Sequence, residues 1–156
     1  MSLPIRIATA ADAPQITAVI NAAFRIAEGF FIESKRITEA EVEESLAKGA
    51  FLLAENGEKL LGCVYVEMRG TRSYLGLLSV DPECQQSGLG SLLMNEAERY
   101  CRERGSQFMD ILIVHLREDL PPFYKKRGYT ENGTSGFPAD VETLVPVHFI
   151  NMSKPL

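Results

Sequence analysis

Hydrophobic and polar positions repeat at two different periods along this chain, and the switches between them mark its elements. Ile5-Arg6-Ile7-Ala8 alternates with period two and reads as a short strand. A period near 3.6 follows, with Ile16, Val19, Ile20 and Ala23 on one face of a helix that Thr9 or Asp12 caps. Thr38-Glu39-Ala40-Glu41 is a capping-box pattern and opens a second helix that ends near Gly49. Between them, Phe24 to Arg36 keeps no clean period and reads as a loop or a broken helix. Strands over 51–55 and 60–68 flank Asn56-Gly57, the strongest short hairpin signal in the chain. A turn near Gly70 leads to a strand over 74–80. A helix over 90–104 carries Leu89, Leu92, Leu93, Ala97, Tyr100 and Cys101 at helical spacing, with Gly105 past its end. Residues 108–114 are almost continuously apolar, as in a strand covered on both faces. A short helix over about 121–127 precedes Gly128-Tyr129, the segment 133–138 reads as a loop, and 145–152 makes a last strand. The predicted order is β-α-α-β-β-β-α-β-α-β-β, an α/β mixture whose first strands are hairpin-linked and therefore antiparallel.

Composition narrows the class. A length of 156 residues, 46% hydrophobic and 24% charged, is that of one globular domain, 1–156, with a real core. A net charge of −5 argues against nucleic acid as a partner, because such proteins carry a basic face. No run is long enough to span a bilayer, so no membrane partner is expected, and Met1 to Arg6 lacks the apolar stretch of a signal peptide. Cys63, Cys84 and Cys101 cannot all pair and show no CxxC spacing, which suits a reducing cytoplasm. His115 and His148 are the only histidines and lie far apart in sequence, so no metal site is expected.

The chemistry concentrates in Leu78-Ser79-Val80-Asp81-Pro82-Glu83-Cys84-Gln85-Gln86-Ser87-Gly88-Leu89-Gly90-Ser91: a buried strand, a turn, a glycine loop and a helix start. Such a loop leaves backbone N–H groups free where the helix dipole favours negative charge, which makes a phosphate site. A Walker A loop is excluded, because no Gly-Lys pair exists. A dinucleotide fingerprint fails too. Leu93 stands at its third glycine, the strand ends well upstream at Val80, and Asp110 falls at the start of its strand instead of the C-terminal end.

Gln85-Gln86-Ser87-Gly88-Leu89-Gly90 resembles the Q/R-x-x-G-x-G/A motif of the GNAT superfamily of acyl-CoA-dependent N-acetyltransferases. Leu78-Ser79-Val80-Asp81-Pro82 is similar to the family's strand ending in a V-x-P-type turn. Phe123-Tyr124-Lys125-Lys126-Arg127-Gly128-Tyr129 resembles its second motif, F/L-Y-x-x-x-G-F/Y, and Ile5 to Asp12 looks like its usual opening. The resemblance covers essentially the whole chain. It implies the GNAT fold, a mixed, mostly antiparallel sheet of about seven strands flanked by four helices. It also implies acetyl transfer from acetyl-CoA to the primary amine of a small or amino-acid-like acceptor, directly in a ternary complex. A protein N-terminus or lysine is the alternative acceptor, and a non-catalytic CoA-binding sensor or scaffold the rival function. Homodimers are frequent in that superfamily.

The resemblance implies that Gln85, Gln86, Ser87, Gly88, Leu89, Gly90 and Ser91 cradle the pyrophosphate of coenzyme A, since a Cβ would keep phosphate oxygens from the backbone. Leu78, Ser79 and Val80 would line the pantetheine arm, and the Leu78 amide would donate to the thioester oxygen. Tyr124 would protonate the departing thiolate and contact the cofactor, while Phe123 faces the core. Tyr74 stands where many family members carry a glutamate base, and phenol is a poor base at neutral pH, so Glu67, His115 or a water chain compete for that role. Arg117, at the family's asparagine position, would meet a CoA phosphate or a substrate carboxylate, or else pair with Glu118 or Asp119. Lys125, Lys126 and Arg127 read as a solvated face or as partners of the 3′-phosphate. Acceptor choice falls to the segments 24–36 and 133–145, with Phe30, Phe31, Glu33 and Arg36 as the substrate residues.

Overall fold

The structure is a computed structural model and describes residues 4–32, 35–85 and 87–156. The chain begins with β1 (Ile5–Ile7), a short 3₁₀ turn (Ala10–Asp12), α1 (Ala13–Glu28) and α2 (Glu39–Lys48). β2 (Ala50–Asn56), β3 (Lys59–Arg69) and β4 (Arg72–Val80) follow, then α3 (Leu89–Glu103), β5 (Phe108–Val114), α4 (Leu120–Lys125), β6 (Thr130–Gly136) and β7 (His148–Pro155). Element type and order match the sequence pattern. The Thr38–Glu41 capping box forms, the Thr38 hydroxyl accepting from the Glu41 amide at 3.2 Å. Gly57 takes φ 65° at the β2–β3 turn, as the Asn-Gly pair requires.

The strands form one seven-stranded sheet in the order β1-β2-β3-β4-β5-β7-β6. All neighbours are antiparallel except β4 and β5, which run parallel because α3 crosses over between them. Period-two alternation divides the core between two faces. Phe51, Leu53, Cys63 and Tyr65 point towards Ile16 and Ile20 of α1 and Val42 of α2. Their neighbours Leu52, Ala54, Val64 and Val66 point the other way, into Leu93, Met94, Ala97 and Cys101 of α3 and Tyr124 of α4. A strand buried on both faces shows no alternation in its sequence, which is why 51–54 reads as one apolar run.

Three boundaries differ from expectation. The segment 24–36 is helical through Glu28, and turn bonds from the Phe31 and Ile32 amides to the Glu28 carbonyl, both 3.2 Å, then end the helix. The 133–138 stretch, expected as loop, is mostly strand β6. Its exposed polar residues carry no hydrophobic period, and pairing with β7 alone holds it, with a bulge between Glu131 and Gly133. The last strand lies three residues later than predicted, because its register against β5 pairs Val114 with Phe149 and Phe108 with Pro155.

Candidate functional site

The sheet forks at its centre. β4 and β5 are joined only at Arg72–Phe108, Ser73–Met109 and Tyr74–Asp110, although β4 continues to Val80 and β5 to Val114. A bulge contributes to this divergence. Tyr65 pairs with Gly76 and Cys63 with Ser79, so Leu77 and Leu78 both stand opposite Val64. Leu77 takes φ 54°, the only non-glycine residue with positive φ among the described residues, at a cost of roughly 1–3 kcal/mol. Beyond the fork, the main chain of Leu78 and Val80 has no β5 partner, while the Ser79 hydroxyl is turned away, donating to the Leu77 carbonyl at 3.0 Å.

The loop after β4 delivers the start of α3 with its amides bare. The Asp81 carboxylate accepts from the Glu83 amide at 2.9 Å, the Gln85 side-chain amide donates to the Val80 carbonyl at 3.2 Å, and the Ser87 hydroxyl donates to the Cys84 carbonyl at 2.6 Å. Ser87 therefore does not cap the helix. Gly88, at φ 82°, occupies the N-cap position, and the first helical bond runs from the Leu92 amide to the Gly88 carbonyl at 3.1 Å. The amides of Leu89, Gly90 and Ser91 thus lack helical acceptors, and no acidic side chain occupies the first turn. A Cβ on Gly90 would meet no atom within 4 Å, so the missing side chain leaves open space in front of those amides. Leu89 instead buries its side chain in the core.

Arg127 brings a cation to the same turn. Its guanidinium donates to the Ser91 hydroxyl and lies over the Phe123 ring at 4.5 Å. Its Nε is buried with no hydrogen-bond partner among the described residues, and a cation beside the positive end of a helix is itself unfavourable. Uncapped amides, open space and an orphaned buried donor together fit a bound phosphate. The basic run divides: Lys125 pairs with Glu131 at 3.2 Å, Lys126 is exposed, and Arg127 turns inward.

Two phenols belong to this region, Tyr74 packed on the α1/α2 side of the sheet and Tyr124 on the α3 side. Tyr124 is buried on α4, edge-on to Phe123 and Tyr129, with ring centroids 5.1 and 5.7 Å apart, while Phe123 is only half-buried against the same core. The Tyr124 hydroxyl has no hydrogen-bond partner among the described residues, and burial pushes its phenol up to about 12. Tyr74 lies flat along β4. A Cβ on Gly76 would stand 2.5 Å from the Tyr74 hydroxyl, so the glycine is what lets the ring lie there. Nothing in the pattern of residues 74–80 marks Gly76 as more than a strand glycine. Burial also raises the Tyr74 phenol, against the pull of Arg36 and of Arg69, whose guanidinium sits 4.6 Å from the ring centre. Ionisation of Tyr74 would oppose that of Tyr124, which puts both in one electrostatic neighbourhood.

At the end of α1, a cleft of about 130 Å³ is lined by Asn21, Phe24, Arg25, Glu28, Ile32, Lys35 and Arg36, and the charge of Arg36 in its wall reaches Tyr74. Glu28 closes α1 and is buried, accepting from Arg117 at 3.2 Å. Burial raises the Glu28 carboxyl, opposed by Arg117 and Arg36. Arg117 also donates twice to Asp119, both bonds 3.1 Å, so it is held between two carboxylates instead of standing free in solvent. Asn21 fixes the far wall, exchanging hydrogen bonds of 3.0 and 2.9 Å with the backbone of Ile37.

Of the expected acceptor residues, Arg36 lines this cleft. Phe30 is exposed and stacks edge-on with Phe31 at 4.9 Å, whereas Phe31 is fully buried and serves the core. Glu33 and Gln86 lie outside the described residues. Glu28 is not among the residues that the sequence pattern assigns to the site, because its only signal is a carboxylate at the end of an apolar helix face. The base candidates also separate. Hydrogen bonds from Arg69 and Tyr65 outweigh burial and hold Glu67 below the ordinary carboxylate range. His115 stacks on His148 at 4.0 Å, and its Nδ1 accepts from the His148 amide at 3.1 Å, so that lone pair is occupied. Asp110 takes two hydrogen bonds from Arg72 near the start of β5, a structural pairing.

Comparison with known proteins agrees with this geometry. An acetyltransferase (GNAT) domain model matches residues 26–146. An uncharacterized N-acetyltransferase of Bacillus subtilis (strain 168), YjcF, is 25% identical over 108 residues, which span 69% of this chain and 75% of that one. The ribosomal-protein-alanine N-acetyltransferase of Brucella melitensis superposes with TM-score 0.80 at 22% identity, covering 99% of this chain and 100% of the other. PaiA N-acetyltransferase of Thermoplasma acidophilum, solved in complex with coenzyme A, superposes with TM-score 0.76 at 16% identity over 100% of both chains. The forked sheet, the glycine loop and the match over most of the chain lead to one conclusion: this protein belongs to the GNAT family and is an acetyl-CoA-dependent acetyltransferase.

Proposed function

We propose that this chain, acting as a single domain over 1–156, acetylates the primary amine of a small or amino-acid-like molecule by direct transfer in a ternary complex. The observation that carries the reading is the fork between β4 and β5, followed by the bare helix amides at the start of α3; the small cleft at the end of α1, with its buried carboxylate, is the acceptor site we assign to it. Acetyl-CoA supplies an activated acetyl group. Transfer forms a C–N bond and breaks a C–S bond, so the nitrogen must lose a proton and the sulfur must gain one.

The amides of Leu89, Gly90 and Ser91, with Arg127, hold the pyrophosphate; Gln85, Ser87 and Gly88 shape the loop. Leu78 and the Val80 amide offer main-chain groups without a β5 partner to the pantetheine arm, and the Leu78 amide donates to the carbonyl oxygen as charge develops there. Tyr124 is the general acid. Its raised phenol keeps the proton at neutral pH, and its unpartnered hydroxyl is available to the sulfur. Burial leaves Tyr74 even less ionised at neutral pH than an ordinary phenol, so we assign it to positioning instead of proton abstraction. Glu28 faces the acceptor: a carboxyl raised by burial is better matched to an amine's proton than an exposed one. Arg117 keeps Glu28 in place.

Free thiol release from acetyl-CoA across an amine panel, with CoA binding followed by calorimetry, tests the proposal. CoA binding with turnover of small amines is expected. CoA binding without turnover of any small amine overturns small-molecule transfer, and absence of CoA binding overturns the cofactor assignment.

A further inference from the structure

We infer that the acceptor is an aminocarboxylate, an amine that also carries a carboxylate, and that the cleft at the end of α1 reads both charges. The inference rests on the transferase reading and narrows its acceptor. The cleft volume of about 130 Å³ is well below the several hundred Å³ of a drug-sized site, so the occupant is small. Its charged lining is uneven: one buried carboxylate, Glu28, against the exposed cations Arg25, Lys35 and Arg36. None of the three cations has a carboxylate within salt-bridge distance among the described residues. This local excess stands out in a protein of net charge −5, so it does not follow from a generally basic surface.

The positions of these charges fit a zwitterion. Glu28 lies at the buried wall and offers an acceptor to an ammonium group. Arg36 stands over the Phe24 ring at 5.3 Å, and its charge reaches both Glu28 and Tyr74. A carboxylate held by Arg36, with Lys35 or Arg25, leaves the amine of the same small molecule near Glu28. A polyamine would bring further positive charge against three cations and is selected against. A neutral amine would forgo the charge-assisted contacts that a guanidinium gives a carboxylate.

The test compares free amino acids with their carboxamides, which keep the amine and lose the charge, and with spermidine, in the wild type and in Arg36→Gln. Turnover is measured with acetyl-CoA, and binding of the same compounds to the CoA-loaded protein by NMR titration. Expected is a preference of at least roughly tenfold in kcat/KM for carboxylates, which Arg36→Gln erases by raising KM for carboxylates roughly 10–100-fold, a far larger change than carboxamides show. Equal use of carboxamides or spermidine, or a preference that survives Arg36→Gln and Lys35→Gln together, overturns the inference and leaves the transferase reading standing. Carboxylates that bind through Arg36 but are never acetylated overturn the inference, and if no other small amine in the panel turns over either, small-molecule transfer falls with it. Failure of any carboxylate to bind overturns the inference whatever else is turned over.

Discussion

Gly90 offers a test in which stability and affinity move in opposite directions. It lies in the first turn of α3, with no positive φ, and a Cβ there meets nothing within 4 Å. Helix propensity therefore favours replacement: Gly90→Leu should stabilise the free protein by about 0.5 kcal/mol. In a domain of this size that corresponds to a rise of about 1–2 °C in Tm. The leucine side chain, however, leans towards the helix N-terminus and over the free amides of Leu89 and Gly90. Losing one charge-assisted hydrogen bond, worth about 1.5–3 kcal/mol, should raise the Kd for CoA roughly 10–100-fold. Calorimetric unfolding of the free protein and titration with CoA read the two effects separately. Gly88→Leu is the contrast. At φ 82° a side chain costs about 1–2 kcal/mol in the free protein, so stability and affinity should fall together. If Gly90→Leu binds CoA as the wild type does, the phosphate cradle is elsewhere. If it destabilises the free protein by more than about 1 kcal/mol, the glycine serves packing and the reasoning from open space fails.

Tyr124→Phe should lower kcat roughly 10²–10⁴-fold with CoA affinity nearly unchanged, because the hydroxyl bonds to nothing among the described residues; equal loss of binding would reassign it. A phenol raised to about 12 stays protonated where an ordinary one ionises, so the wild-type kcat should hold through pH 10, and a decline centred at pH 10 would contradict the assignment. Gly76→Ala must move the Tyr74 hydroxyl by about 1 Å to relieve a 2.5 Å contact, and should cut kcat up to roughly 100-fold while leaving Tm within a few degrees; unchanged kcat would remove Tyr74 from the site. Arg117→Ala strands the buried Glu28 and should cost about 3 kcal/mol in denaturant unfolding, with much of it recovered by adding Glu28→Gln; a purely additive double variant would mean the pair is not coupled. Cys63 is fully buried with its thiol pushed up to about 12, and Cys101 is buried too. A thiol reagent should therefore label only Cys84 quickly in the native state, and fast labelling of all three would mean that both faces of the core open readily.

Much of this protein was decided locally and is legible in its sequence. The capping box at Thr38, the hairpin at Asn56-Gly57 and the glycine loop before α3 depend on bonds within a few residues, so residue type at fixed spacing determines them. The same holds for the exclusion of other phosphate loops, which turns on a missing lysine and on Leu93. Tertiary structure decided the rest. β6 is a strand because β7 offers it partners, not because its own polar residues prefer extension. The fork needs β4 held by β3 and β5 held by β7, with Leu77 strained at the bulge, and no local signal reports that strain. Glu28 and Arg117 are 89 residues apart and meet only when α1 and the loop after β5 pack together. Burial then sets the chemistry, raising Tyr124, Tyr74 and Glu28 while hydrogen bonds lower Glu67. Local spacing determined where a phosphate can sit. Long-range packing decided which groups beside it can move a proton, because desolvation depends on every element that closes around a side chain.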